Sequence, residues 1–144
     1  MTLKDYFTIY AGGDLNKKCF SPIKTDEYKY PIFSNSLNNY GLFGYTSIPK
    51  YKADSITITG RGNVGIAFYR DKDYDAIIRL LVLEPKNNTC SKYFYYYINE
   101  AISFPIESTG VPQLTRPQVE ETNVEVIHST KKQHHIVNIQ RRYA

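Results

Sequence analysis

Residues 54–59 run Asp54, Ser55, Ile56, Thr57, Ile58, Thr59, polar and apolar in turn and rich in β-branched types. A period of two in such residues predicts a strand with one buried face. The stretch "VGIAFY" at 64–69 predicts a neighbouring strand. Residues 76–83, "AIIRLLVL", are almost continuously apolar up to Glu84-Pro85. That run predicts a strand buried on both faces and stopped by Pro85. The period changes after the turn "KNNT": Phe94, Tyr97, Ile98, Ala101 and Ile102 fall at i, i+3, i+4, i+7 and i+8. This stripe predicts an amphipathic helix, with Ser91 as N-cap and Pro105 as its end.

The flanks are less regular. "LKDYFTI" at 3–9 fits a short helix behind Thr2 as N-cap and ahead of Gly12-Gly13, although Thr8-Ile9-Tyr10 equally suits a strand. "NKKCFSPIKTDEYKYP" is a Lys-rich loop, and "PIFSNSLNNYGLFGY" patterns as strand, turn, strand. The segment "IESTGVPQLTRPQVEE" is a loop, followed by a short strand near Asn123–Ile127 and a polar helix from about Thr130. The pattern predicts an α+β fold: one compact domain with a twisted mixed β-sheet and one central amphipathic helix.

Composition narrows the class. A chain of 144 residues with 42% hydrophobic and 22% charged residues is that of an ordinary folded domain. Fourteen Tyr and seven Phe, with no Trp, suit half-buried strands or a wet binding surface. The net charge of +4 favours approach to a polyanion. Cys19 and Cys90, as the only cysteines, make neither a disulfide framework nor a metal cluster. With no signal peptide at the start and no apolar run of membrane length, a cytoplasmic protein without a membrane is expected.

The chemistry most worth testing is Gly60-Arg61-Gly62-Asn63-Val64-Gly65, which spells the G-x-G-x-x-G of dinucleotide-binding loops. That fold needs a strand before the glycines, a helix opening on them and an acid about twenty residues on. The strand is predicted, and Glu84 stands nineteen residues beyond Gly65. The helix fails, because "IAFYRDKDYDA" alternates like a strand. The glycines are therefore expected to shape a strand-to-strand corner that holds Arg61 and Asn63 at its tip.

Other constellations fail on their own terms. Asp71-Lys72-Asp73-Tyr74-Asp75 opens like a calcium loop, but Ala76 stands where Gly is needed and Val82 where Glu is needed. His128, His134 and His135 lack cysteines or acids at ligand spacing. No nucleophile-elbow signature accompanies the serines, so no catalytic set and no cofactor is expected. What remains is polar, basic and aromatic: Ser34, Asn35, Asn38, Asn39 and Tyr40; Lys50 and Lys52; Arg61 and Asn63; Arg70 and Lys72. Lys and Arg suit phosphate contact, and Asn, Gln and Arg suit base edges.

The succession "YPIFSNSLNNYGLFGY", "ITITGRGNVGIAFYRD", "AIIRLLVLEP", "SKYFYYYINEAI" and "STGVPQLTRPQVEE" resembles the target recognition domain of specificity subunits from type I restriction–modification systems. That family shows an Asn/Gly-rich segment, I-x-G-x-G-x-x-G between strands and a Tyr-rich helix. Beyond these come a G-x-x-Q-L-like loop, a short strand and a Gln opening a long spacer helix. "KKQHHIVNIQ" resembles the spacer start, with Gln133, Ile136 and Val137 on its Q-x-x-I-V positions, although His128-Ser129-Thr130 replaces the usual prolines.

The resemblance implies a recognition domain over 1–128 and a truncated start of the spacer helix over 129–144. It implies double-stranded DNA as ligand and methyltransferase and restriction subunits as partners, with catalysis, S-adenosylmethionine, ATP and magnesium belonging to those partners. A homodimer of half-subunits would supply a second recognition domain for the other half-site. Lysines and arginines would meet phosphates, while Arg61, Asn63, Asn38, Asn39, Gln113 and Arg116 would approach bases. Gly60, Gly62 and Gly65 would shape the loop. Gln113 and Arg116 serve equally well as residues that pin the loop after the helix. Two alternatives remain open: a protein-interaction remnant or inhibitor that pairs with methyltransferase subunits without reading DNA, and the specificity module of a fused type II restriction–methylation enzyme.

Overall fold

The computed structural model describes residues 1–105, 110–126 and 128–143, with side chains as far as residue 139. The chain opens with α1 (Leu3–Tyr6) and β1 (Phe7–Ala11), so "LKDYFTI" is divided between helix and strand. Thr2 caps α1 through a reciprocal box with Asp5, whose carboxylate accepts from the Thr2 main-chain N–H at 2.8 Å. A 3-10 turn at Lys17–Cys19 leads to β2 (Phe20–Ser21), then β3 (Tyr30–Phe33). A second 3-10 turn at Asn38–Gly41 leads to β4 (Leu42–Thr46), giving the expected strand, turn, strand. Next come β5 (Ser55–Ile58), β6 (Ala67–Arg70), β7 (Asp75–Ala76) and β8 (Leu81–Pro85). The remaining helices are α2 (Ser91–Ala101), α3 (Arg116–Glu120) and α4 (Thr130–Tyr143).

The fold is α+β, but the single sheet expected from the sequence is two. One is antiparallel in the order β1-β8-β5-β6; the other is mixed, in the order β2-β4-β3-β7, with β7 parallel to β3. The 76–83 run is where the chain changes sheets. Ile78 and Arg79 adopt left-handed backbone (φ 48° and 62°) and turn the chain between β7 and β8. Main-chain N–H groups of Ile77, Ile78 and Arg79 donate to Phe33, Gly13 and Gly12. An isolated apolar run carries no sign of those partners, so one strand was expected where two strands and a turn stand.

Two cores result. Ile56, Ile58, Leu81 and Leu83 pack with Phe7, Phe94 and Ile98 beneath α2, whereas Tyr74, Ala76, Leu80 and Val82 pack on the other side. All four residues of β5 are buried, which corrects the one-faced strand. Its polar positions are satisfied by neighbouring side chains: Ser55 Oγ lies 2.6 Å from Tyr74 Oη, and Thr57 Oγ1 accepts from Arg70 Nε on β6 at 2.9 Å. Helix α2 buries Tyr93, Phe94 and Ile98; Cys90 rather than Ser91 is its N-cap, and Ser91 Oγ donates to Asp54 O instead. Ala101, counted in the stripe, is exposed, and the helix is capped at Ile102, ahead of Pro105.

The segment expected as a loop contains α3, with a capping box between Thr115 and Gln118. The strand expected near Asn123–Ile127 reduces to one bridge, Thr2 to Asn123, and Ile127 lies outside the described residues. Helix α4 begins at Thr130 as expected, and its Val137 joins the core under α2. Among the described residues no helix is long and apolar enough to cross a membrane.

Candidate nucleic-acid interface

The hairpin of β5 and β6 carries the glycine motif at its closed end, and Thr59 organises it. The Thr59 N–H donates to Ile66 O at 3.0 Å, its carbonyl accepts from Gly65 N at 2.8 Å, and its hydroxyl donates to Asn63 O. Gly62 and Gly65 adopt φ of +74° and +84°, the left-handed region that favours glycine. Gly60 is needed for a different reason: a Cβ there would lie 2.9 Å from Arg79 O and 3.0 Å from Leu114 O. A strand, not a helix, comes after the motif, so the glycines do not open the helix that a dinucleotide loop requires.

Arg61 is less free than a loop-tip residue. Its backbone bridges Gln113, Leu114 N donates to Gly60 O at 2.9 Å, and the Arg61 side chain is half-buried with Nε lacking a partner. Asn63 and Gln113 are exposed. Asn35 ties this corner to the other sheet: its Oδ1 accepts from Gly60 N at 2.8 Å, and its Nδ2 donates to Ile78 O at 2.7 Å.

A second group lines a cleft of about 480 Å³ between β6 and the Asn38–Gly41 turn. Asn39, Tyr40, Arg70 and Lys72 are there, together with Lys24, Lys29, Phe33, Tyr45, Phe68, Tyr69 and Tyr95, none of which was singled out from the sequence. The tyrosine excess and the lysines of "IKTDEYKYP" were the only signals, and neither says which strand they would face. Asn39 and Tyr40 hold left-handed backbone (φ 49° and 57°), which leaves Tyr40 exposed over Phe68 with ring centroids 6.1 Å apart.

Arg70 is buried rather than exposed on the surface. It is 5% exposed, with its guanidinium carbon 3.5 Å from the Phe33 ring centroid and 5.0 Å from that of Phe68. Burial pulls its pKa down to about 10, so it remains charged at neutral pH. Burial also raises the Tyr69 and Tyr74 hydroxyls, which stay neutral.

The other residues stand apart. Lys50 and Lys52 are exposed on either side of Tyr51, which bridges Tyr74. Arg116 begins α3 beside β1, the sheet edge opposite β6, and its Nε lies 3.8 Å from Glu120. Asn38 is exposed in its turn, where its N–H donates to Ser36 Oγ. Two of the three histidines secure α4: His128 Nδ1 lies 2.9 Å from Tyr93 Oη, and His134 Nδ1 lies 3.4 Å from Cys90 Sγ.

A family model for the type I restriction modification DNA specificity domain matches residues 1–144. Two Mycoplasma pneumoniae proteins named as type I specificity subunits, S.MpnORF507P and S.MpnORF89P, are 34% and 33% identical over 89% and 91% of the chain. The chain covers only 34% and 38% of their lengths. The fold is also similar to the crystal structure of a type I restriction–modification S subunit from M. genitalium. That likeness has a TM-score of 0.76 at 20% identity, over 99% of this chain and 38% of that one. With an HsdS subunit from Thermoanaerobacter tengcongensis the TM-score is 0.67 at 13% identity, over 99% of this chain and 36% of that one. Sequence match and architecture agree, and the chain belongs to the type I restriction modification DNA specificity domain family, as a target recognition domain.

Proposed function

We propose that this domain reads one half-site of a split sequence in double-stranded DNA, and that methylation and cleavage are carried out by methyltransferase and restriction subunits it directs. The observation that carries the proposal is the match of a DNA specificity domain along residues 1–144. The geometry supports it: exposed Asn63 and Gln113 sit together at the glycine corner with Arg61 between them, and exposed Lys50, Lys52 and Lys72 offer phosphate contacts. Residues 129–144 serve as the start of a spacer helix, with Gln133 securing its first turn by donating to His128 O at 3.0 Å.

The test is fluorescence anisotropy on the assembled complex with the methyltransferase subunit, against cognate and scrambled duplexes at two salt concentrations. Each phosphate contact should contribute about −0.9 to the slope of log affinity against log salt. Asn63→Ala and Arg61→Ala should each reduce discrimination by about tenfold, within the range expected for a bidentate base contact. Lys50→Ala and Lys52→Ala should weaken cognate and scrambled duplexes alike. If Arg61→Ala and Asn63→Ala leave both affinity and preference unchanged, the base-reading assignment is wrong.

A further inference from the structure

We propose that the cleft between β6 and the Asn38–Gly41 turn is a pocket for a single nucleotide, its base held on the aromatic walls and its phosphate by the surrounding cations. The cleft measures about 480 Å³, within the few hundred to a thousand typical of small-molecule sites.

Arg70 is the residue that the fold alone does not explain. It is 5% exposed, its Nε donates to Thr57 Oγ1 at 2.9 Å, and its Nη2 is buried with no partner. Among the described residues its guanidinium is in no ion pair. A buried charge with an unfilled donor is costly, and such groups are normally paired or hydrogen-bonded. An anion in the cleft that Arg70 lines would balance this charge through space, without reaching the buried Nη2. Lys24, Lys29 and Lys72 line the same cleft and are exposed, against the single carboxylate of Asp71.

The walls point to a planar ring beside that anion. Tyr40 stands 69% exposed and edge-on to Phe68, and Tyr69 pairs with Tyr95 at 6.3 Å. Inorganic phosphate would leave those rings unused, and a neutral aromatic would leave the cations unused. A nucleotide uses both, because bases stack on aromatic side chains whatever their identity. Two sources share this chemistry: a free mononucleotide, or a nucleotide turned out of a DNA strand. Only the second source depends on the DNA-reading role proposed above.

The test titrates the full chain with dAMP, TMP and ribose 5-phosphate, following the quenching of its tyrosine fluorescence. Saturable binding of dAMP or TMP at least tenfold tighter than ribose 5-phosphate is expected. Tyr40→Ala should weaken it by about tenfold, the scale of one lost base–aromatic stack. Tyr40→Phe should restore it, and both variants should unfold at the wild-type temperature. A second titration compares a fully paired duplex with one carrying a single unpaired nucleotide. Tyr40-dependent preference for the unpaired site assigns the source to DNA; binding of mononucleotides without that preference assigns it to a free ligand. Equal affinity for ribose 5-phosphate, or indifference to Tyr40→Ala, overturns the pocket. Loss of half-site discrimination in the assembled complex would leave the mononucleotide result standing, so the two proposals fail separately.

Discussion

Gly60 and Gly62 stand two residues apart in one motif and should respond to alanine in different ways. At Gly60 the new Cβ would meet Arg79 O at 2.9 Å and Leu114 O at 3.0 Å. Both obstacles are main chain in hydrogen-bonded segments: Leu114 N donates to Gly60 O and Arg79 N to Gly12 O, at 2.9 and 2.8 Å. Neither can swing aside as a side chain would, so the substitution should cost about 2–3 kcal/mol, the upper part of the range for overpacking. At Gly62 the φ is +74° and no atom lies within 4 Å of the added Cβ. Only the left-handed backbone is penalised, at about 1 kcal/mol.

Asparagine separates the two causes. It tolerates left-handed backbone better than alanine, so Gly62→Asn should recover roughly half of that loss, whereas Gly60→Asn should be at least as damaging as Gly60→Ala. Urea unfolding monitored by far-UV circular dichroism gives the free energies. For a domain of this size each kcal/mol lowers Tm by about 4 °C, so thermal melts should fall by about 10 °C for Gly60→Ala and 4 °C for Gly62→Ala. A Gly60→Ala protein within about 0.5 kcal/mol of wild type would refute the close-approach account, since that is the scatter of harmless surface changes. Equal effects of alanine and asparagine at Gly62 would refute the backbone account.

Two further predictions concern the cores. Phe94 is fully buried and meets Tyr6 and Phe7 with ring centroids 4.8 and 5.2 Å away, so Phe94→Ala should cost about 3–5 kcal/mol in the same urea assay. Asp75 is buried, and burial raises its pKa above the ordinary aspartate value, only partly offset by its hydrogen bond from Ala76 N at 2.8 Å and by Lys50. The folded state therefore holds that proton more tightly than the unfolded chain. Its contribution to stability is lost as pH rises through the raised pKa. Asp75→Asn keeps an oxygen for Ala76 and removes the charge, so it should exceed wild type in stability at pH 7. That advantage should shrink as pH falls towards the ordinary aspartate range. A pH-independent difference between the two proteins would contradict this.

The sequence exposed those elements whose signals are local. Alternation over Ser55–Ile58, the Phe94–Ile98 stripe and the Thr2 cap depend on residues within a few positions of one another. The passage between sheets was hidden, because Ile78 and Arg79 carry no glycine to mark a left-handed turn. Their conformation is held by Gly12, Gly13 and Asn35, more than forty positions earlier. Helix α3 was the more readable miss. Thr115 and Gln118 have the spacing of a capping box and Pro117 lies in the first turn, both start signals that its surrounding prolines and short length obscured.

The same division between local and distant signals governs the site. Three glycines at G-x-G-x-x-G spacing state only that the backbone needs left-handed angles or close approach. In a dinucleotide loop pyrophosphate and a helix make those demands. Here Thr59, the Arg79 turn and the Leu114 segment make them, so the strand beyond Gly65, rather than the glycines, decides the motif's chemistry. Arg70 shows the converse. In sequence it is one more cation after a strand, suited to a phosphate on the surface. Its register opposite Ser55 turns it instead towards Thr57 and Phe33, where its charge is buried. A cation placed that way is more informative about a ligand than an exposed lysine, because solvent cannot satisfy it. The Tyr40 titration therefore bears on why the two sheets are joined as they are, as well as on what the cleft holds.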